Sequence, residues 1–184
     1  MSETMTQEQR IARIVAELLS YPDEAWRARR AELEAAIATV VDEKVAARLH
    51  AFVERAFEAD AHEFEGRYVD AFDFSKETNL NLTSQSCKDE RQQRMTLLGY
   101  SLYFEETGFT PGKELPDYLP SLLELAACAD APTAARILGG ARGDVALLKA
   151  ALDKAELSDY SQLVGLVLDV TDQLQATYRQ EVAA

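Results

Sequence analysis

From Ile11 to Leu174 apolar residues return every three or four positions, and no stretch alternates apolar and polar residues as a strand would. That period admits packed helices and little else. Thr6 followed by Gln9 reads as a capping box that opens a first helix, with Ile11, Ile14, Val15, Leu18 and Leu19 on one stripe. Asp23 can cap a second helix lined by Trp26, Leu33, Ile37 and Val40, with Arg27, Arg29, Arg30, Glu32 and Glu34 facing water. Asp42 starts a third helix, with Val45, Leu49, Val53 and Phe57 inside. Phe64, Tyr68 and Phe72, spaced by four, form the inward stripe of a fourth.

The period then fails. Residues 73–88 are polar, with only Leu80 and Leu82 to anchor them, and read as a long ordered loop or a short extended piece. Asp89-Glu90 opens a fifth helix whose middle, Leu97 to Phe104, is apolar almost all round, the pattern of a central helix. Gly108 suits its left-handed C-terminal position. The second break is Glu114-Leu115-Pro116-Asp117-Tyr118-Leu119-Pro120. Pro116 stops a helix, Asp117 can cap the next, and Pro120 fits its first turn. It is either a well-capped connector or a binding site. Leu119, Leu122, Leu123 and Ala126 mark the helix that follows, fading at Asp130-Ala131-Pro132. Residues 133–157 form one kinked helix or two, because Gly139-Gly140 and Gly143 weaken the middle and Asp144 could recap. Leu163, Leu166, Val167, Val170 and Leu174 line a last helix capped by Ser158, with a frayed tail over 179–184. The expectation is a single all-α domain over 1–184, a bundle of about seven to nine helices with a proline-acidic hinge near 108–120.

Several chemistries are excluded by what the residues lack. A net charge of −13 argues against nucleic acid and anionic membranes and favours a basic partner. No secretory signal opens the chain and no apolar run could span a bilayer; Cys87 and Cys128 stand apart, so a reducing cytoplasm is expected. His50 and His62 have Ala47 and Ala59 three residues before them, so the Glu-x-x-His of a di-iron bundle is missing, and no metal or cofactor is expected. There is no nucleophile elbow, and Gly139-Gly140-Ala141-Arg142-Gly143-Asp144 is not a phosphate loop. An enzyme, such as a small helical hydrolase with paired carboxylates, is the lesser alternative. Asp89, Arg91 and Arg94 either complement the helix start and pair with Glu90, Asp70 or Asp73, or frame a polar rim beside the loop.

Taken in order, Leu18-Leu19-Ser20-Tyr21-Pro22-Asp23, Tyr68-Val69-Asp70-Ala71-Phe72-Asp73, Leu80-Asn81-Leu82-Thr83, Asp89-Glu90-Arg91 and Glu114 through Glu124 resemble the molybdenum-cofactor assembly chaperones of respiratory nitrate reductase. Those belong to the wider family of chaperones for twin-arginine-exported molybdoenzymes. The resemblance covers most of residues 10–130. Tyr118 stands where the wider family commonly has His, and Asp89 to Arg94 keeps only the first Arg of a usual Asp-x-Arg-x-Arg-Gly.

The resemblance implies a non-enzymatic, all-α protein. It would bind the N-terminal leader of the apo catalytic subunit, hold that subunit open for cofactor insertion before membrane attachment, and work beside molybdenum-cofactor delivery proteins. A sister chaperone for a dimethyl sulfoxide, trimethylamine oxide or formate enzyme is the alternative. The expected peptide site is an apolar groove bordered by Tyr68, Phe72 and Leu115 to Tyr118 (Pro116 and Asp117 included). Asp70, Asp73, Glu114 and Asp117 would offer carboxylates, with Arg91 on the rim.

Overall fold

A computed structural model describes residues 5–87, 89–110 and 112–183, without the side chains of 181–183. Residues 1–4, Lys88 of the polar stretch, Pro111 of the hinge region and Ala184 of the tail lie outside the described residues. The described residues form ten helices joined by short turns. These are α1 (Gln7–Leu18), α2 (Glu24–Ala28), α3 (Arg30–Ile37), α4 (Glu43–Glu58), α5 (Ala61–Phe72), α6 (Thr83–Ser86), α7 (Glu90–Thr107), α8 (Leu119–Cys128), α9 (Ala131–Lys154) and α10 (Ser158–Ala183). The count exceeds seven to nine because the second helix breaks at Arg29 and one helical turn forms inside the polar stretch. The all-α class holds; among the described residues the one extended feature is a single bridge between Asn81 and Tyr118.

α1 runs through the middle, packed on α3, α8 and α10, while α9 and α10 form the longest antiparallel pair. Its inner stripe, Ala12, Val15, Ala16 and Leu19, is almost wholly buried, and the two alanines let neighbouring backbones come close. Gln9 does two jobs. Its Oε1 accepts from the Thr6 N–H to complete the capping box. Its Nε2 donates to the Ala126 and Ala129 carbonyls at 2.9 and 2.8 Å, partnering the end of α8. Asp23, Asp42, Asp60, Asp89 and Asp130 cap α2, α4, α5, α7 and α9 through their side chains. Arg27 does not simply face water: its guanidinium lies over the Phe57 ring and donates to the Ala56 and Ala59 carbonyls at the end of α4.

One expectation is corrected and one open alternative is decided. α7 is not central. It buries Tyr100 and Phe104 on one side and leaves Met95, Leu98 and Leu102 in solvent on the other. An apolar belt says that a helix has apolar surface to hide, not that its own chain hides it. Residues 131–154 form one helix straight through the glycines. A Cβ at Gly139 would collide with the Gln175 amide of α10, and one at Gly140 would come within 2.9 Å of the Tyr103 hydroxyl of α7. The glycines therefore serve close approach, and packing outweighs their helix penalty of about 1 kcal/mol each. Asp144 caps nothing; it accepts from the Tyr100 hydroxyl at 2.8 Å, joining α9 to α7. Gly108, at φ 74°, ends α7 as expected, and α10 continues to Ala183.

Tyr68, Tyr100 and Tyr160 are all buried, and burial is the main cause that pushes their phenols well above the usual range. A folded state that resists ionisation is stabilised below the unfolded pKa and loses that stability as pH rises through it. The unfolding free energy from urea titrations should fall once pH exceeds about 10, by up to about 1.4 kcal/mol per pH unit for each such phenol. The Tyr160 hydroxyl has no partner among the described residues. Tyr160→Phe should therefore cost less than about 0.5 kcal/mol at neutral pH and flatten the alkaline slope, both read from urea titrations.

Candidate functional site

The two stretches that break the helical period meet each other. Leu115 to Tyr118 is a turn closed by the Tyr118 N–H on the Leu115 carbonyl at 3.0 Å, with Pro116 at its second position, where a fixed φ suits it. The Leu82 N–H donates to the Asp117 carbonyl at 3.2 Å and the Leu119 N–H to the Leu80 carbonyl at 2.9 Å, which makes the one-residue bridge. Leu80 and Leu82 anchor the loop in the core, as their sequence predicts.

Asp117 is the centre of this joint. Its place before a helix predicts a cap and a carboxylate offered to a partner; the structure gives it neither role. It is 0 % exposed, and its Oδ2 accepts from the Thr83 N–H at 2.9 Å and the Thr83 hydroxyl at 2.7 Å. Gln93 of α7 donates its amide to Thr83 Oγ1 at 3.2 Å, so α7, α6 and the turn are joined in one chain of hydrogen bonds. The N-cap of α8 is instead Tyr118, without a side-chain bond. The reason is the turn. At its third position the Asp117 side chain is aimed back at α6 rather than along α8.

Tyr118 carries the exposed side of the joint. Tyr68 donates its hydroxyl to the Leu19 carbonyl at 2.9 Å, which leaves Tyr118 to donate to the Tyr68 oxygen at 3.4 Å. Tyr21, from the early Ser-Tyr-Pro-Asp motif, stands edge-on to Tyr68 with ring centres 5.5 Å apart and is itself half in solvent. Burial pushes the Tyr118 phenol up, and the nearby charges of Glu114, Asp73 and Glu124 act in the same direction. The charges of three carboxylates thus reach one tyrosine, and Leu115 in the same turn is exposed. Next to this rim lies a cleft of about 300 Å³ between α1, the end of α7 and α8, lined by Arg13, Phe104, Phe109, Glu124, Leu125 and Cys128. Glu124 belongs to both; burial raises its pKa and Glu17 adds to the rise, against Arg13 and Arg29.

Of the residues expected at a peptide site, the structure brings Asp73, Glu114, Leu115 and Tyr118 together at the surface. Tyr68, Phe72 and Asp117 lie beneath them in the core and Pro116 is half-buried, so no groove opens between Tyr68 and Phe72. Asp70 is exposed on α5. Arg91 is not part of the group: it stands two residues from Gln93, hence on the opposite face of α7. Tyr21, Glu124 and Phe109 were missed. The first two sit inside motifs that carry the resemblance, whereas Phe109, beyond the end of α7, gives no signal. Among the described residues no three His, Cys, Asp or Glu side chains gather as a metal site, and no helix is long and apolar enough to cross a membrane.

Thr83→Val removes the hydroxyl from a buried carboxyl group. We expect a loss of about 1–3 kcal/mol in urea unfolding, and faster amide exchange confined largely to the loop and the turn at Leu115 to Tyr118.

No family model matches the chain. Among known proteins it is 35% identical over 152 residues to a probable nitrate reductase molybdenum cofactor assembly chaperone, NarJ, of Bacillus subtilis, covering 82% of each chain. It is 29% identical over 162 residues to the Escherichia coli nitrate reductase molybdenum cofactor assembly chaperone NarJ, covering 86% of this chain and 68% of that one. It is also 33% identical over 158 residues to the nitrate reductase-like protein NarX of Mycobacterium tuberculosis, covering 85% of this chain but 24% of that longer protein. With 35% of the aligned residues identical across 82% of both chains in the Bacillus case, the chain belongs to the NarJ family of nitrate reductase molybdenum cofactor assembly chaperones.

Proposed function

We propose that this protein is the assembly chaperone of a respiratory nitrate reductase, and that it binds the N-terminal leader of the apo catalytic subunit at the Tyr118 rim. It holds that subunit competent for cofactor insertion in the cytoplasm, before membrane attachment, and performs no catalysis itself. The observation that carries the reading is the pairing of an apolar cleft with a cluster of carboxylates at one joint. A leader that is basic and amphipathic presents complementary chemistry: apolar side chains for Phe104, Phe109 and Leu125, and Lys or Arg for Glu124, Glu114 and Asp73.

The division of labour follows from magnitudes. An exposed ion pair contributes about 0.2–1 kcal/mol, so apolar burial supplies most of the affinity while charge supplies orientation and on-rate. Tyr68, Phe72, Pro116 and Asp117 act from beneath, fixing the turn that presents Leu115 and Tyr118. Tyr118 offers a hydroxyl that stays protonated at neutral pH, where His in the wider family would offer an imidazole.

The test is calorimetric titration with a synthetic peptide copying the first few tens of residues of the catalytic subunit encoded beside this chaperone. Binding should weaken about two- to tenfold in Glu114→Gln/Glu124→Gln, and more in Phe109→Ala. Affinity should also fall as pH is lowered, beginning above the ordinary Glu value of about 4.3 because the Glu124 pKa is raised. Absence of heat with every such leader, from a folded sample, would sink the proposal; binding only the leader of another molybdoenzyme would reassign the client.

A further inference from the structure

α7 carries an apolar face left exposed among the described residues. Gln93, Tyr100 and Phe104 point inward, Gln93 to Thr83 of α6 and Tyr100 to Asp144 of α9. The opposite side is one straight stripe: Arg91, Met95, Leu98, Leu102 and Glu105, spaced by four, three, four and three residues. At 3.6 residues per turn these five fall on one narrow line, the spacing of a coiled-coil seam. Met95, Leu98 and Leu102 are 63%, 54% and 49% exposed. The neighbouring charges are engaged, Arg94 with Glu90 and Glu106 with Arg136, but Arg91 and Glu105 have no ion pair among the described residues.

We propose that this stripe is a contact between two copies of the chain, their α7 helices antiparallel about a two-fold axis at Leu98. The occupant is chosen by charge. Arg91 and Glu105 each lie seven residues from Leu98, or about 10.5 Å along the axis. A two-fold at Leu98 therefore sets Arg91 of each copy beside Glu105 of the other, closing two ion pairs at once. A parallel pairing would set Arg91 against Arg91 and Glu105 against Glu105, and is disfavoured.

Gly99, one residue on from Leu98 and about 100° round the helix, has open space where a Cβ would stand, so no side chain there obstructs the approach of a second helix. Three half-exposed apolar side chains make a small patch, well under the roughly 1,200 Å² of a stable interface. The dimer is accordingly weak and concentration-dependent. It leaves the Tyr118 rim free, since that joint packs against the inner side of α7.

Sedimentation velocity of the full chain, from low micromolar to near-millimolar concentration, tests this directly. The weight-average mass should rise from 20.4 kDa toward twice that value. Leu98→Glu should stay at the monomer mass with an unchanged helical circular dichroism signal. Arg91→Glu and Glu105→Arg should each shift self-association to at least about tenfold higher concentration, and more so at low salt. Mixed in equal amounts, the two single variants should associate again, because each hybrid pair restores opposite charges at both ends. Monomer mass throughout for the wild type, or a mixture no better than its components, overturns the proposal. So does a monomeric wild type whose Leu98→Glu variant loses leader-peptide binding, which would assign the stripe to the client.

Discussion

The buried carboxyl of Asp117, reached by both the N–H and the hydroxyl of Thr83, is the interaction on which the non-helical part of the molecule depends. The loop after α5 and the turn before α8 have few apolar side chains of their own, so packing alone would leave them many conformations. A carboxyl group taken out of water must find donors; here Oδ2 takes two from the first residue of α6, while Oδ1 has no partner among the described residues. The main-chain bonds of the Asn81–Tyr118 bridge then set the register, and Gln93 carries the constraint onto α7. Tyr118 and Leu115 reach the surface in one arrangement as a result.

Around this joint the helical frame is ordinary in chemistry and exacting in fit. Gln9 partners both the start of α1 and the end of α8. The diglycine of α9 brings that helix close to α7 and α10 at once. The proposed recognition surface would thus be assembled from segments far apart in sequence: Tyr21 after α1, Asp73 after α5, Glu114 in the turn and Glu124 within α8. Under that proposal the surface is ordered before a peptide arrives, since the ordering cost was met on folding.

The acidic balance of the chain and its local distribution have different consequences. A charge of −13 would steer a basic partner from a distance, whereas under the proposed function the carboxylates near Tyr118 would determine where it settles. On α7 the signs are mixed, Arg91 at one end and Glu105 at the other, a pattern suited to recognising its own reverse rather than a uniformly basic peptide. The inner face of α7 supports the joint, and the outer face is the one proposed to meet a second copy.

Helix identity, most of the caps and the core stripes are local properties, and the sequence by itself determined them. Asp23, Asp42 and Asp89 cap where they stand because a carboxylate before a helix-period run has nearby N–H groups to meet. The motif around Glu114 to Glu124 likewise marked the place of the candidate site. Three things were decided only by tertiary structure. Asp117 turned inward because Thr83, distant in sequence, offered two donors. Residues 131–154 stayed one helix because Gln175 and the Tyr103 hydroxyl needed the space that glycine leaves. α7 went to the surface because α1, with its buried alanines, took the central place beside α8 and α10. Each is a competition between segments for the same donors or the same volume, and periodicity within one segment carries no information about its rivals.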